Sequence, residues 1–279
     1  MSIYTIQDTT LTDIADAIRS KTGKTASMTP VEMVNEIESI SGGGDITDGI
    51  VVTAIDADKY VTSVDYYGEV LPRYIFGAAR GDNDFSWSHL RSIDFKSQNV
   101  YLTRGNFFYC GLYELSTTAI KGRDPSISWK YNNNTHATAC FRHMKSLVTL
   151  SLPEFVGFLN HYEIAGCTAL KTVYLPKVTK LASYGSSNRG CFLGDTALEN
   201  VQIGSIGYAV DNVDTNPFEG CTQSGLSITI YTTGSYTDTA VANIRRGATN
   251  ATIIVKASEV TTYGGTSYAA GDTIVTSTP

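Results

Sequence analysis

Between Phe141 and Ile230 the apolar positions repeat one phrase, Φ-x-x-[Cys/Met/Asp]-x-x-Leu-x-x-Φ-x-Φ, in which Φ is apolar. Phe141, Met144, Leu147, Leu150 and Leu152 fill it once. Ile164, Cys167, Leu170, Val173 and Leu175 fill it again, and Phe192, Asp195, Leu198, Val201 and Ile203 a third time. A slipped copy runs through Phe218, Cys221, Leu226, Ile228 and Ile230, and fainter ones precede at Trp87, Leu90, Ile93, Phe95 and at Phe107, Cys110, Leu115. A unit this short cannot bury its apolar face alone and has to stack on its neighbours, which predicts a solenoid. The apolar pair closing each copy has period two and predicts a short strand. Leu152-Pro153 and Leu175-Pro176 end two of these strands, where a missing N–H costs little.

Outside the repeats the period changes. Leu11, Ile14, Ala15 and Ile18 share one face of an amphipathic helix that stops at Lys21-Thr22-Gly23. Thr29-Pro30 with Glu32 forms a capping box, with Pro at the first helical position of a second helix lined by Met33, Val34, Ile37 and Ile40. Such a helical hairpin is too small to stand alone, so Leu11, Ile14, Ile18, Met33 and Ile37 are candidate attachment or oligomerisation residues. Ser41-Gly42-Gly43-Gly44 reads as a linker. Ile50–Ile55 and Tyr60–Val64 alternate about a turn at Asp56-Ala57-Asp58, which predicts a β-hairpin. After Tyr231 a helix over Thr237–Arg246 and a strand over Thr252–Val255 are expected to cap the array.

The expected organisation is a helical attachment segment (1–41), a linker and β-hairpin region (42–80), the repeat solenoid (81–235), a cap (236–257) and an extended tail (258–279). The expected class is α+β and β-rich, with a short N-terminal helical hairpin, a β-hairpin region, an irregular solenoid of repeats and a C-terminal α/β cap.

Composition narrows the function. The chain has 279 residues, 42% of them apolar and only 17% charged, against a usual charged share of about 25%. Such usage, rich in Gly, Tyr, Ser and Thr, suits β-rich extracellular or virion proteins better than helical cytosolic enzymes. The net charge of −6 and the lack of a basic stripe argue against a nucleic-acid partner. No apolar run is long enough to predict a membrane-spanning helix, and Met1–Thr10 lacks the charged and apolar regions of a cleaved secretory signal. Five widely spaced cysteines fit neither a disulfide framework nor a zinc site. Cys110, Cys167 and Cys221 occupy the repeat's small-residue slot and are expected to be packing residues.

No nucleophile or metalloprotease motif appears. His89, His136, His143 and His161 are scattered in or beside the repeats. Asp56 and Asp58 form a possible acid–base pair that a hairpin turn explains more simply. No catalytic residue, metal or cofactor is expected. The candidate ligand-binding residues lie in insertions between copies: Trp129, Tyr131, Asn133 and His136; Tyr184 and Arg189; Tyr208 and Asp211. Per-repeat insertions collect on one side of a stacked array, and aromatic rings beside Asn, Asp and Arg are what a sugar ring needs. Three uses stay open for them: glycan binding, packing between subunits, and folding under to cover the loops.

Two resemblances bear on these residues. The repeat, best seen over Ile164–Val178, resembles the BspA-type leucine-rich repeats of bacterial surface and bacteriophage proteins; the spacing of Phe141, Ile164 and Phe192 lies within the roughly 20–29 residues of such repeats. Residues 11–40 are similar to a segment near the N-termini of tail-fibre and minor tail proteins of phages that infect Gram-positive bacteria, most closely over Ile14–Gly23 and Met28–Met33. That resemblance implies a non-enzymatic virion component of the phage tail that acts outside the cell. Its implied partners are other virion proteins and a host cell-wall glycan or surface protein, and fibres of this kind imply a homo-oligomer, a trimer. The alternatives are a purely architectural or decoration protein of the virion, and a bacterial surface adhesin.

Overall fold

The computed structural model describes residues 49–77, 87–125, 139–181, 190–205, 216–231 and 237–276. The predicted helical hairpin, with Leu11, Ile14, Ile18, Met33 and Ile37, lies outside them. The described elements are β1 (Ile50–Ile55), β2 (Val61–Tyr66), β3 (Ser92–Phe95), β4 (Val100–Leu102), β5 (Glu114–Ser116), β6 (Ile120–Arg123), β7 (Thr149–Ser151) and β8 (Gly157–Leu159). They continue with β9 (Thr172–Leu175), β10 (Val178–Leu181), β11 (Asn200–Ile203), β12 (Ser227–Tyr231), α1 (Thr237–Gly247), β13 (Thr252–Lys256), β14 (Thr261–Tyr263), β15 (Thr266–Tyr268) and β16 (Thr273–Thr276).

The expected α+β solenoid is not what forms. Among the described residues α1 is the one helix, and the strands divide among five sheets that do not join into a closed coil. The class is β-rich. The reason is local. Only five residues separate Φ from the following Leu in the three clean copies, and seven after Phe107 and Phe218, too few for a helix of the usual three turns. Tight turns fill that space instead: Leu147 N–H donates to Met144 C=O, Leu170 to Cys167 and Leu198 to Asp195.

The largest sheet follows the order β16-β13-β12-β11-β9-β7-β5. All its pairs are parallel except β13–β16. The register stacks like on like. Leu115, Leu150, Val173, Val201, Ile228 and Ile253 form one buried column, and Leu175, Ile203, Ile230 and Val255 another. A second row of short parallel strands holds β4 against β6 and β8 against β10, with isolated bridges Val70↔Tyr101 and Gly122↔Val156 at its gaps.

A third row consists of turns. Phe107 N–H donates to Cys140 C=O, Tyr109 to Arg142, Phe141 to Glu163, His143 to Ala165, Ile164 to Cys191, Phe192 to Pro217 and Gly194 to Glu219. Inside these rows the Φ residues pack as rings: Phe76 on Phe107 at 5.7 Å, Phe107 on Phe141 at 5.6 Å, and Phe192 on Phe218 at 4.7 Å.

The stretch expected to be an extended tail is ordered differently. β14 and β15 make a hairpin about Gly264-Gly265, both at positive φ as a tight hairpin turn demands. β16 then runs antiparallel to β13 and ends the main sheet. Helix α1 buries Ala240, Val241 and Ile244, and its Asp238 carboxylate accepts from Gly264 N–H at 2.9 Å.

All five thiols are buried and unpaired with one another. Cys167 donates to Phe141 C=O at 3.0 Å, Cys221 to Phe192 C=O at 3.1 Å and Cys140 to Thr103 C=O at 3.1 Å. Burial pushes the Cys110 thiol up to about 12 and raises Cys140, Cys167 and Cys221 as well. The native protein should therefore leave every cysteine unreacted with Ellman's reagent at pH 8, and the unfolded chain should titrate all five. A fast-reacting thiol in the native state would show that this packing is wrong.

Candidate functional site

The insertion residues singled out by sequence all fall outside the described residues. Trp129, Tyr131, Asn133 and His136 lie in 126–138, Tyr184 and Arg189 in 182–189, and Tyr208 and Asp211 in 206–215. The three segments nevertheless share an address. They rejoin the described chain at Ala139, Gly190 and Asn216, in each case two residues ahead of a Φ residue, namely Phe141, Phe192 and Phe218. All three thus enter the turn row at the same step of the copy, and that row's outer edge is the candidate site.

Its geometry follows from one backbone position. The residue two after Φ takes a left-handed conformation in each of five copies: Tyr109 (φ 63°), His143 (φ 59°), Gly166 (φ 77°), Gly194 (φ 74°) and Gly220 (φ 79°). Glycine takes this conformation freely, whereas another residue pays about 1–2 kcal/mol. Two copies nevertheless carry rings there. Tyr109 and His143 stack at 5.0 Å with 20° between their planes, and Phe108 stands edge-on to Tyr109 at 4.5 Å. Tyr109 remains 36% exposed. The His143 ring lies over Gly166, where an added Cβ would stand 2.3 Å from Nδ1.

The position two before Φ repeats the device. Tyr74 (φ 59°), Gly105 (φ 65°) and Tyr162 (φ 58°) are left-handed. Tyr74 covers Gly105, and the Arg73 guanidinium lies 4.8 Å from the Tyr74 ring centre. Arg142 sits over Tyr162 at 4.6 Å, and His161 meets Tyr162 at 5.3 Å. The edge is therefore a run of rings interleaved with guanidinium groups, beside the points where the insertions rejoin. Of these residues, sequence reading noticed only His143 and His161, and as scattered histidines. Aligning the copies on Φ and asking where Gly166, Gly194 and Gly220 are replaced by rings would have found Tyr109 and His143.

A buried carboxylate supports the edge. Glu163, 0% exposed, accepts from Cys140 N–H at 2.9 Å and Asn160 N–H at 3.2 Å and pairs with Arg123 Nη2. Arg123 Nε in turn donates to Phe158 C=O at 3.0 Å. One side chain thus ties β6, the turn that receives the 126–138 insertion, and the next copy.

The other sequence candidates are structural. Asp56 Oδ1 accepts from Asp58 N–H at 3.0 Å and Tyr60 N–H at 2.9 Å, and its Oδ2 meets His89 Nδ1 at 2.9 Å. The Tyr60 ring stacks on His89 at 4.0 Å. The His89 hydrogen bond, then the Tyr60 N–H, hold the Asp56 carboxyl below its usual range, as befits a turn-closing carboxylate. Among the described residues no group of three or more His, Cys, Asp or Glu could hold a metal ion, and no helix is long and apolar enough to cross a membrane. No protein-family model matches the chain, and no curated protein or solved structure matches it.

Proposed function

We propose that the chain is a non-enzymatic, tail-fibre-like component of a bacteriophage virion that attaches to a glycan on the host cell surface. One observation carries the binding part of this reading: three insertions rejoin the chain along one edge whose turns hold Tyr109, His143, Tyr74 and Tyr162 in left-handed backbone. Residues held in costly conformations cluster at functional sites, and aromatic rings beside cations suit sugar recognition. The virion part rests on the similarity of residues 11–40 to phage tail segments. In this reading residues 1–41 join the chain to other virion proteins and to its own copies, as a trimer, so that weak sugar contacts add by avidity.

The test uses the whole chain on host cells and on their purified cell-wall polysaccharide. Retention on both is expected, together with a trimer mass by light scattering. Release of reducing sugar from the polysaccharide would overturn the non-enzymatic assignment.

A second reading, an architectural virion protein that binds only other virion proteins, is favoured by the first sheet. Among the described residues β1 pairs with β2 alone, and it exposes Val51 at 47% and Ile55 at 42%. An apolar strand edge of that kind is suited to pairing with another chain. Assembly with tail proteins in the absence of any polysaccharide binding would make this second reading the correct one.

A further inference from the structure

The second strand row carries a groove on its outer face. It is shallow and open to solvent, with a volume of about 500 Å³. It is lined by Tyr101, Gly122, Val156, Lys121, Asn99 and Glu154, among others.

The groove arises from register. Tyr101 on β4 pairs with Gly122 on β6, and Gly122 bridges onward to Val156. β4 faces Val100 and Leu102 into the core and Tyr101 outward. The outward column across the row therefore reads Val70, Tyr101, Gly122, Val156. The glycine contributes no side chain, so the floor is bare backbone between a ring and a 54% exposed valine. No larger residue fits on that floor, because a Cβ on Gly122 would stand 2.6 Å from Val156 C=O.

Around these apolar walls stand groups of both hydrogen-bonding kinds. Asn99 offers an exposed amide and Lys121 an ammonium whose Nζ donates to Thr118 C=O at 2.8 Å, which leaves it two further donors. The Glu154 carboxylate is held by Lys177 Nζ at 2.7 Å, and that bond keeps its carboxyl below the usual range, so it is an ionised acceptor at neutral pH. Arg123 lines the inner end, its charge already matched by Glu163. Glu154 is matched by Lys177 and Arg123 by Glu163, so Lys121 adds one further positive charge to the walls. Apolar walls with planar donors and acceptors at the rim match a pyranose ring, which presents C–H groups on its faces and hydroxyls around its edge.

We infer that this groove is a saccharide-binding subsite, in which a sugar ring seats between Tyr101 and Val156 with its hydroxyls directed to Asn99, Lys121 and Glu154. The inference rests on the glycan-attachment reading and places a contact on the folded strand row.

The experiment compares the whole chain with Tyr101→Ala, Tyr101→Phe and Val156→Arg. The probes are an array of glucose-, rhamnose-, N-acetylglucosamine- and N-acetylgalactosamine-terminated glycans, and solubilised cell-wall polysaccharide from Gram-positive bacteria. Unfolding midpoints and circular dichroism check that each variant folds; Val156→Arg alters an exposed position and fills the slot without touching the core. The expected result is that Tyr101→Ala and Val156→Arg weaken binding by about tenfold while Tyr101→Phe stays within about twofold of the parent. Unchanged binding in both Tyr101→Ala and Val156→Arg overturns the subsite and leaves the attachment reading standing. A parent chain that binds no glycan overturns both.

Discussion

Replacing Glu163 by Ala should cost about 3–5 kcal/mol of folding stability, the largest loss expected from any single polar substitution among the described residues. The Glu163 side chain is 0% exposed and that of Arg123 5%. Removing the carboxylate strands the guanidinium in a low-dielectric interior and leaves the Cys140 and Asn160 N–H groups without the acceptor they now share. Small and medium domains hold only about 5–15 kcal/mol in total, so the variant should unfold at a far lower urea concentration. Glu163→Gln loses the charge and keeps an acceptor for only one of the two N–H groups, which go to different carboxylate oxygens, and should fall between parent and Ala. The double variant Arg123→Met with Glu163→Leu removes both charges together and should recover the part of the loss that comes from the stranded guanidinium, because burying an ion pair rarely outperforms apolar packing of the same volume. Urea midpoints for the parent and the three variants decide the matter. An Ala variant within about 1 kcal/mol of the parent would mean that the pair is solvated in solution and does not tie the copies together.

The same side chain shows why part of the molecule was legible in the sequence and part was not. The slots of Leu150, Val173, Val201 and Ile228 were readable because burial imposes a period, and each lands opposite its counterpart in the next strand. Glu163 sits one residue before Φ, a position that other copies fill with Asn106, Cys140, Cys191 and Pro217, so no pattern marks it. Its role appears only when three copies are stacked. The left-handed turns were hidden for a related reason: Tyr109 and His143 look like ordinary aromatic residues until they align with Gly166, Gly194 and Gly220. The groove at Tyr101 depends on a shift of register between β4 and β6, which no single strand records. The insertion candidates, Trp129 through Asp211, followed from their chemistry and their place between copies, and the fold adds to them a common point of entry on the turn row.

Asp195 should make the protein less stable as pH rises above about 4, and Asp195→Asn should abolish that dependence. The residue occupies the slot that other copies fill with Cys110, Met144, Cys167 and Cys221, and it is fully buried. Its Oδ1 accepts from Cys167 N–H at 2.7 Å, while Oδ2 has no hydrogen-bond partner among the described residues. Burial drives its carboxyl well above the usual range, against the smaller opposing effect of the Cys167 and Gly166 N–H groups. The folded state therefore holds a proton that the unfolded chain releases near pH 3.9. Below that pH both states are protonated and the stabilising contribution is complete; as pH climbs through the window up to the folded-state value it is lost, at a limiting slope of about 1.4 kcal/mol per pH unit. Above the folded-state value the loss levels off. Asparagine keeps the acceptor for Cys167 N–H and carries no titratable proton. Urea unfolding of parent and Asp195→Asn between pH 4 and 9 should give curves that separate with that slope and then run parallel, the bend marking the native value of Asp195. Curves parallel throughout would show that Asp195 ionises as freely in the folded protein as in the unfolded chain, and that water reaches the slot its neighbours seal with sulfur.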